Sequence, residues 1–308
     1  MLFVLLIIQM EYQNIIKPFI EGIIGEKPDF ECKISIYRLF CPKLLINKYE
    51  EENIENLNIA IRLTSLQSQP INIKIQRADI KPKKFIACPS RLFAFDQWHL
   101  FITTLELFRL HRVNLVIIYI QSVEAQVYNL IKAYESSGFV QIRPSLEMPS
   151  INTGLNYNPN SETSWQNQLT NFQDCLYEFK ESSEFIAFPD WDDFFFTSDY
   201  SIPYYPILKK FSDENPKVNT FIIDRYMGFH ESLDEMNKNG HKLNDFWRQG
   251  IKYSTKDTQY FYGKAIYKPN RGLYGVDLHW ANRVEPGYKE IRIPLKEAYI
   301  IHARDYSK

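Results

Sequence analysis

The sequence predicts an α/β fold: a doubly wound, Rossmann-like mixed sheet with a small β-rich subdomain ahead of it. Two observations carry that expectation. From Phe85 to Phe188, short apolar runs alternate with segments whose apolar residues recur at helical spacing, in the order β-α-β-α-β-α-β. Leu115 to Ile120 is apolar at every position, as in a strand buried on both faces of a parallel sheet. Right-handed crossovers then lay the helices on the two faces of one sheet.

The elements follow in order. Residues 1–30 begin with the apolar run Met1 to Ile8, which meets its first charge at Glu11. That run falls well short of the roughly 20 residues a membrane span needs, and it lacks the positive start and small-residue cleavage site of a secretory leader. It reads as an anchor remnant, a truncated reading frame or an ordinary strand. Residues 31–80 read as the β-rich subdomain, because Lys33 to Tyr37 and Ile71 to Ile75 alternate apolar and polar between turns rich in Asn, Glu and Pro. Lys81-Pro82-Lys83-Lys84 forms a charged joint, and residues 81–308 make the main domain.

In that domain Phe85 to Cys88 is the first strand. Trp98, Phe101, Ile102, Leu105 and Phe108 then share one helical face. Leu115 to Ile120 is the second strand. Val123, Val127, Leu130, Ile131 and Tyr134 mark a second helix that stops at Gly138. Phe139 to Ile142 is the third strand, and after an Asn- and Pro-rich loop Trp165, Leu169, Phe172, Leu176 and Phe179 mark a third helix. Phe185 to Phe188 returns as the fourth strand. Beyond Thr197 the periodicity weakens among Gly228, Gly240, Gly263, Gly272 and Gly275, and this half is expected to hold the second-substrate site.

Composition narrows the function classes. With 308 residues, 45% of them hydrophobic, the chain can bury a full core. Its 36 basic and 37 acidic residues cancel, so no global field recruits nucleic acid or an anionic membrane surface. The 20 Tyr and 22 Phe read mainly as core packing. Neither a G-x-G-x-x-G nor a P-loop pattern is present. Cys32, Cys41, Cys88 and Cys175 show no zinc-type spacing. Cys88 and Cys175 are expected as buried thiols, whereas Cys32 and Cys41 flank a candidate hairpin and could pair in an oxidising compartment.

The run Asp190-Trp191-Asp192-Asp193 follows the fourth strand directly. Carboxylates gathered at a strand end repel one another and pay desolvation, so a divalent cation or strong donors are expected to compensate them. The alternative is an acidic turn that solvates itself. In open α/β sheets ligands bind outside the carboxyl ends of the strands, which is where Asp190 falls.

Several ordered segments resemble glycosyltransferase family 92, a GT-A-type family of metal-dependent enzymes. They are Asp174-Cys175-Leu176 with Phe185 through Phe194, then Phe93 and Trp98, Ile118-Tyr119, and Tyr134 with Gly138. Further on come Gly263 through Pro269, His279, and Ala298 through Arg304. The resemblance runs from about Phe85 to Arg304. The chain departs from the family pattern at Trp191, where a small aliphatic residue is more usual, and Trp191 is expected to pack inward.

The resemblance implies a GT-A-like sheet. It also implies an enzyme that transfers a hexose, galactose in the first instance, from a UDP-sugar to a glycan hydroxyl with inversion, in a type II Golgi membrane protein anchored by its N-terminus. By the same resemblance Asp192 would ligate the metal directly and Asp190 through water or the ribose, with His302 as a further ligand. The ion would be Mn²⁺, with Mg²⁺ also open. Asp193 is either a group behind the ligands or a solvated turn residue. Lys264 and Arg304 are candidates for the diphosphate, Lys264 also reading as part of an exposed strand. His279-Trp280 is a candidate sugar platform.

Inversion requires a general base, and Asp224, Glu231, Asp245 and Asp277 stand as candidates without a choice among them. His230 and His241 read as solvated loop residues. Two further readings stand beside transfer: a catalytically inactive relative that binds a sugar nucleotide or glycan, and a calcium-dependent lectin-like module. The second fits poorly, since calcium takes six to eight oxygens from dispersed ligands.

Overall fold

The computed structural model describes residues 2–9, 34–41, 58–61, 71–74, 78–145, 147, 160, 167–230, 252–258 and 263–305. Cys32, Glu231, His241 and Asp245 lie outside them. Spatial clustering divides the chain into two units, residues 1–79 with 146–170, and residues 80–145 with 171–308.

In the first unit, β1 (Leu2–Gln9) pairs antiparallel with β2 (Ile34–Cys41), and β3 (Asn58–Ile61) with β4 (Ile71–Lys74). The opening apolar run is therefore a strand. The hairpin expected between Cys32 and Cys41 is instead one continuous strand from Ile34, because its alternating residues pair with β1.

The second unit begins with β5 (Lys83–Ala87), so Lys83 and Lys84 belong to a strand and not to a joint. It continues with α1 (Trp98–Leu110), β6 (Leu115–Ile120), α2 (Ala125–Ser136), β7 (Val140–Pro144), α3 (Gln168–Phe179) and β8 (Ser183–Ala187). This is the predicted alternation. Gly138 ends α2 with φ of 77°, a left-handed conformation that favours glycine.

After β8 come β9 (Asp193–Thr197), α4 (Tyr204–Glu214), β10 (Val218–Ile223), β11 (Arg225–His230), β12 (Lys252–Thr258), β13 (Lys264–Tyr267), β14 (Leu273–Val276), β15 (Ala281–Val284), β16 (Lys289–Ile293) and β17 (Ala298–Asp305). The half whose periodicity is weak is thus strand-rich, and α4 and β10 are regular elements that the sequence reading did not pick out.

Seven strands form one sheet in the order β16-β10-β13-β8-β5-β6-β7. β5, β6, β7 and β8 run parallel. β13 is antiparallel to both β8 and β10, and β16 is parallel to β10, so β13 alone opposes the rest. The sheet is doubly wound and mixed, as expected for a GT-A-like fold. A four-stranded sheet, β12-β11-β17-β9, adjoins it in the same unit.

Phe85, Phe101, Phe108, Ile118, Phe185 and Phe221 are fully buried in one continuous core. Each contributes roughly 1.5–3 kcal/mol by leaving water. Cys88 and Cys175 are buried as expected but form a disulfide, which ties the end of β5 to α3 with the Cα atoms 6.6 Å apart. The 87 residues between them carry no spacing signal, and only the packing of α3 on the sheet brings them together.

Candidate functional site

The site forms where the chain leaves the large sheet and enters the small one. β8 is buried through Phe185, Ile186 and Ala187, and Asp190 to Asp193 is the link from it to β9. The link is a tight turn closed by Asp193 N–H donating to the Asp190 carbonyl at 3.2 Å. Asp190 and Asp192 therefore project from a turn and not from an extended segment.

Trp191 packs inward, 5% exposed. Its ring centroid lies 5.1 Å from that of Phe101 and 6.0 Å from that of Phe95, its Nε1–H donates to the Ser90 carbonyl at 2.6 Å, and Thr104 Oγ1 donates to its carbonyl. The turn is thereby nailed to α1 and to the end of β5, with the carboxylates on its other side.

β17 pairs antiparallel with β9 so that His302 stands directly opposite Asp193. Directly opposed residues in such a ladder bring their Cβ atoms to about 5 Å. Register is thus the cause of a contact between residues 109 apart: His302 Nδ1 lies 2.9 Å from Asp193 Oδ1 and 3.5 Å from an Asp192 oxygen. Ala303 N–H donates to the Asp192 carbonyl at 2.7 Å and fixes the turn against β17.

Asp193 is fully buried, so the solvated-turn reading does not hold for it. Burial opposes its ionisation, but Lys264, the hydrogen bond from His302 and the Arg225 guanidinium outweigh that and hold its carboxyl well below the usual range. Burial and the adjacent Asp193 charge push Asp192 the other way, above the usual carboxylate range. One carboxylate is thus fixed as an anion, and its neighbour gains most from an incoming cation.

Lys264, at the start of β13, is buried and not part of an exposed strand. Its Nζ donates to Asp190 at 2.7 Å and lies 3.6 Å from Asp193. Burial lowers its pKa, yet the Asp190 and Asp193 charges raise it further, so it is a permanent ammonium. Gly263, just before it, is required: a Cβ there would run into the Ile223 carbonyl.

His279 Nδ1–H donates to the Gly263 carbonyl at 2.9 Å, and the Leu278 carbonyl lies 3.4 Å from Lys264 Nζ. The segment bearing His279 and Trp280 is therefore moored beside Lys264. Burial and the Lys264 charge lower the His279 pKa. Trp280 is 47% exposed, its ring 6.0 Å from that of His279. Arg225, the first residue of β11, places a guanidinium nitrogen 3.6 Å from Asp193. Sequence reasoning missed it: Asp224 closes the apolar run Phe221-Ile222-Ile223, and Arg225 after it carries no local signal of its own.

Among the base candidates, Asp224 is buried and ion-paired with Arg292. Asp277 is half-buried and accepts the Leu278 N–H at 2.6 Å. Glu231 and Asp245 lie outside the described residues, as does the side chain of Arg304, whose backbone sits in β17 opposite Phe229. His230, expected in solvent, is buried at the end of β11 with its ring 5.6 Å from that of His99, because the loop expected there is a strand paired with β17.

Asp192, Asp193 and His302 each offer a ligand atom, and these lie within 4.8 Å of one another. Carboxylate oxygens with one imidazole nitrogen suit a divalent ion such as Mn²⁺ or Mg²⁺, so the donor set fits.

A Rossmann-like α/β domain with an acidic, cation-competent turn at the carboxyl edge of its sheet is the class that fold and site define. The chain belongs to glycosyltransferase family 92, whose profile it matches over residues 83–308. Similar proteins in Caenorhabditis elegans carry that family name. One is 28% identical over 207 residues, covering 67% of this chain and 38% of its own length. Another is 30% identical over 138 residues, covering 44% and 27%, and a third is 32% identical over 154 residues, covering 48% and 29%. The chain thus spans well under half the length of these relatives. Among solved structures, residues 1–349 of Staphylococcus aureus TarS align with 70% of this chain and 60% of their own, at 12% identity and a TM-score of 0.34.

Proposed function

We propose that this chain is a metal-dependent, inverting glycosyltransferase that moves a hexose, galactose by family likeness, from a UDP-sugar to a hydroxyl of a glycan. The observation that carries this reading is the group Asp192, Asp193 and His302 at the end of β8, flanked by the buried Lys264 and Arg225. A divalent ion bound there supplies Lewis-acid neutralisation of the departing diphosphate.

The chain's own residues do the rest. Asp192 and His302 hold the ion, with Asp190 toward the ribose or a bound water. Lys264 and Arg225 keep the cluster's net charge low enough to stay folded before the donor arrives. Arg304, on the same strand as His302, serves the diphosphate. The exposed Trp280 face, steadied by His279, offers a stacking surface for a sugar ring. Asp224 is committed to Arg292, so of the two described base candidates Asp277, just ahead of that platform, suits the acceptor hydroxyl better.

The buried disulfide fits an oxidising compartment, which supports placement in the Golgi or elsewhere in the secretory pathway. Among the described residues no helix is long and apolar enough to cross a membrane.

The test is calorimetric titration of UDP into the protein with Mn²⁺ and after chelation, on wild type and Asp192→Ala. Metal-dependent UDP binding that disappears in Asp192→Ala is the expected result. UDP binding indifferent to both chelation and the substitution would refute the metal-bridged donor site, and no UDP binding under any condition would favour an inactive relative.

A further inference from the structure

Both oxygens of Asp193 are already engaged within the protein. Its side chain is fully buried, Oδ2 accepts the Asp190 backbone N–H at 3.0 Å, and Oδ1 faces His302 Nδ1 at 2.9 Å. Lys264 stands 3.6 Å from Oδ2 and Arg225 3.6 Å from Oδ1. A carboxylate so surrounded is an anion, and an anion only accepts, so the proton shared with His302 belongs to Nδ1.

We propose that Asp193 is the positioning residue of this site: it fixes His302 with the proton on Nδ1, leaving Nε2 as the ring's one lone pair. On the reading of the site as a cation centre, from which this follows, Asp192 and His302, through its free Nε2, would hold the ion, and Asp193 would stand behind the imidazole. A carboxylate behind a metal-binding histidine orients the ring and raises its basicity.

The substitution Asp193→Asn tests this role. An amide has one acceptor oxygen where the carboxylate has two. The Asp190 N–H can only donate, so it claims that oxygen. The amide NH₂ is then turned to His302 and needs a lone pair on Nδ1, which moves the ring proton to Nε2. The same tautomer reversal accounts for the lost activity when the buried Asp of a Ser-His-Asp triad becomes Asn. Bulk is unchanged, but a buried negative charge facing Lys264 and Arg225 is lost as well, so the tautomer is read from the spectrum itself and not from Mn²⁺ affinity alone.

The experiment is ¹⁵N long-range correlation spectroscopy of the metal-free protein through a pH series that includes the neutral ring, with His302 assigned by the signals lost in His302→Gln. Mn²⁺ titration by calorimetry runs alongside. Wild type is expected to show a protonated Nδ1 and a bare Nε2. Asp193→Asn is expected to show the reverse, with Mn²⁺ affinity about 10–100-fold lower.

A wild-type ring protonated on Nε2 overturns the proposal, and that spectrum decides it even if the variant does not fold. A variant that keeps Nδ1–H, or that reverses the tautomer with no loss of Mn²⁺ affinity, overturns the positioning role. Failure of wild type to bind Mn²⁺ or UDP instead removes the functional reading, and the tautomer assignment is still judged by the spectrum alone.

Discussion

Lys264→Met tests the electrostatic account of the site directly, because it keeps the length of the stem and removes the ammonium. Lys264 Nζ serves Asp190 at 2.7 Å and Asp193 at 3.6 Å, and its side chain is 2% exposed, while that of Asp193 is 0% exposed and that of Asp190 30%. Removing one member of a buried ion pair costs about 3–5 kcal/mol. Asp190 is partly solvated and Asp193 retains Arg225 and His302, which places the loss near the lower end, about 3 kcal/mol. At roughly 2–4 °C per kcal/mol for a unit of this size, the melting temperature should fall by about 6–12 °C.

The same substitution strengthens the attraction of the carboxylates for a cation. An ion at 100 times its Kd stabilises by about 2.7 kcal/mol, so saturating Mn²⁺ should recover most of the loss and shift the variant's melting temperature more than that of wild type. Thermal unfolding of both proteins, with Mn²⁺ and with chelator, measures each quantity. A metal-free variant within 1 kcal/mol of wild type, or equal Mn²⁺ shifts in the two, would refute the reasoning that Lys264 balances these carboxylates.

Two further outcomes follow from groups that support the site. His111, at the end of α1, donates Nε2–H to the Phe195 carbonyl at 2.7 Å, and burial lowers its pKa to about 4. Because the folded value lies below the unfolded one near 6.5, the unfolded chain binds the proton first. Stability is then full above about pH 6.5 and declines by about 3 kcal/mol as pH falls to 4. His111→Gln keeps a donor and does not titrate, so urea unfolding of the pair at several pH values should show wild type losing that much relative to the variant; parallel profiles would contradict it. Trp191→Ala should cost about 3–5 kcal/mol through the cavity left against Phe101 and Phe95, whereas Trp191→Phe should cost nearer 1 kcal/mol for the lost bond to Ser90. Equilibrium unfolding separates the two, and equal losses would mean that the ring's packing does not anchor the turn.

Strands and helices of the first half were legible because each carries its own periodicity. Leu115 to Ile120 needs no partner to announce a doubly buried strand, and Gly138 marks the end of α2 by its own backbone freedom. Asp190, Asp192 and His302 were legible as a set through family resemblance alone. What the sequence withheld are properties of pairing. The disulfide between Cys88 and Cys175, the burial of His230 and the choice between the two readings of Asp193 all depend on which strand or helix lies alongside, and no local pattern encodes that choice. Arg225 was overlooked for the same reason, since a single arginine after an apolar run acquires meaning only when β11 sits beside β17.

The register of β9 against β17 also explains why the site can be both acidic and stable. Three carboxylates within four residues would repel in any extended segment. The turn separates them by environment: Asp190 faces Lys264 at 2.7 Å, Asp193 is enclosed by Lys264, Arg225 and His302, and Asp192 stands 3.5 Å from His302. Slipping the β9–β17 register by one residue would turn every side chain of β17 to the opposite face and carry His302 away from Asp193. The turn would then keep its acidic charge and lose its imidazole. Trp191 makes such a slip costly, because the turn that begins β9 is fixed to α1 and to Ser90 by a ring that has no second place to go. Trp191 is therefore the residue that holds the register, and the chemistry of the site depends on a packing contact on the opposite side of the same turn.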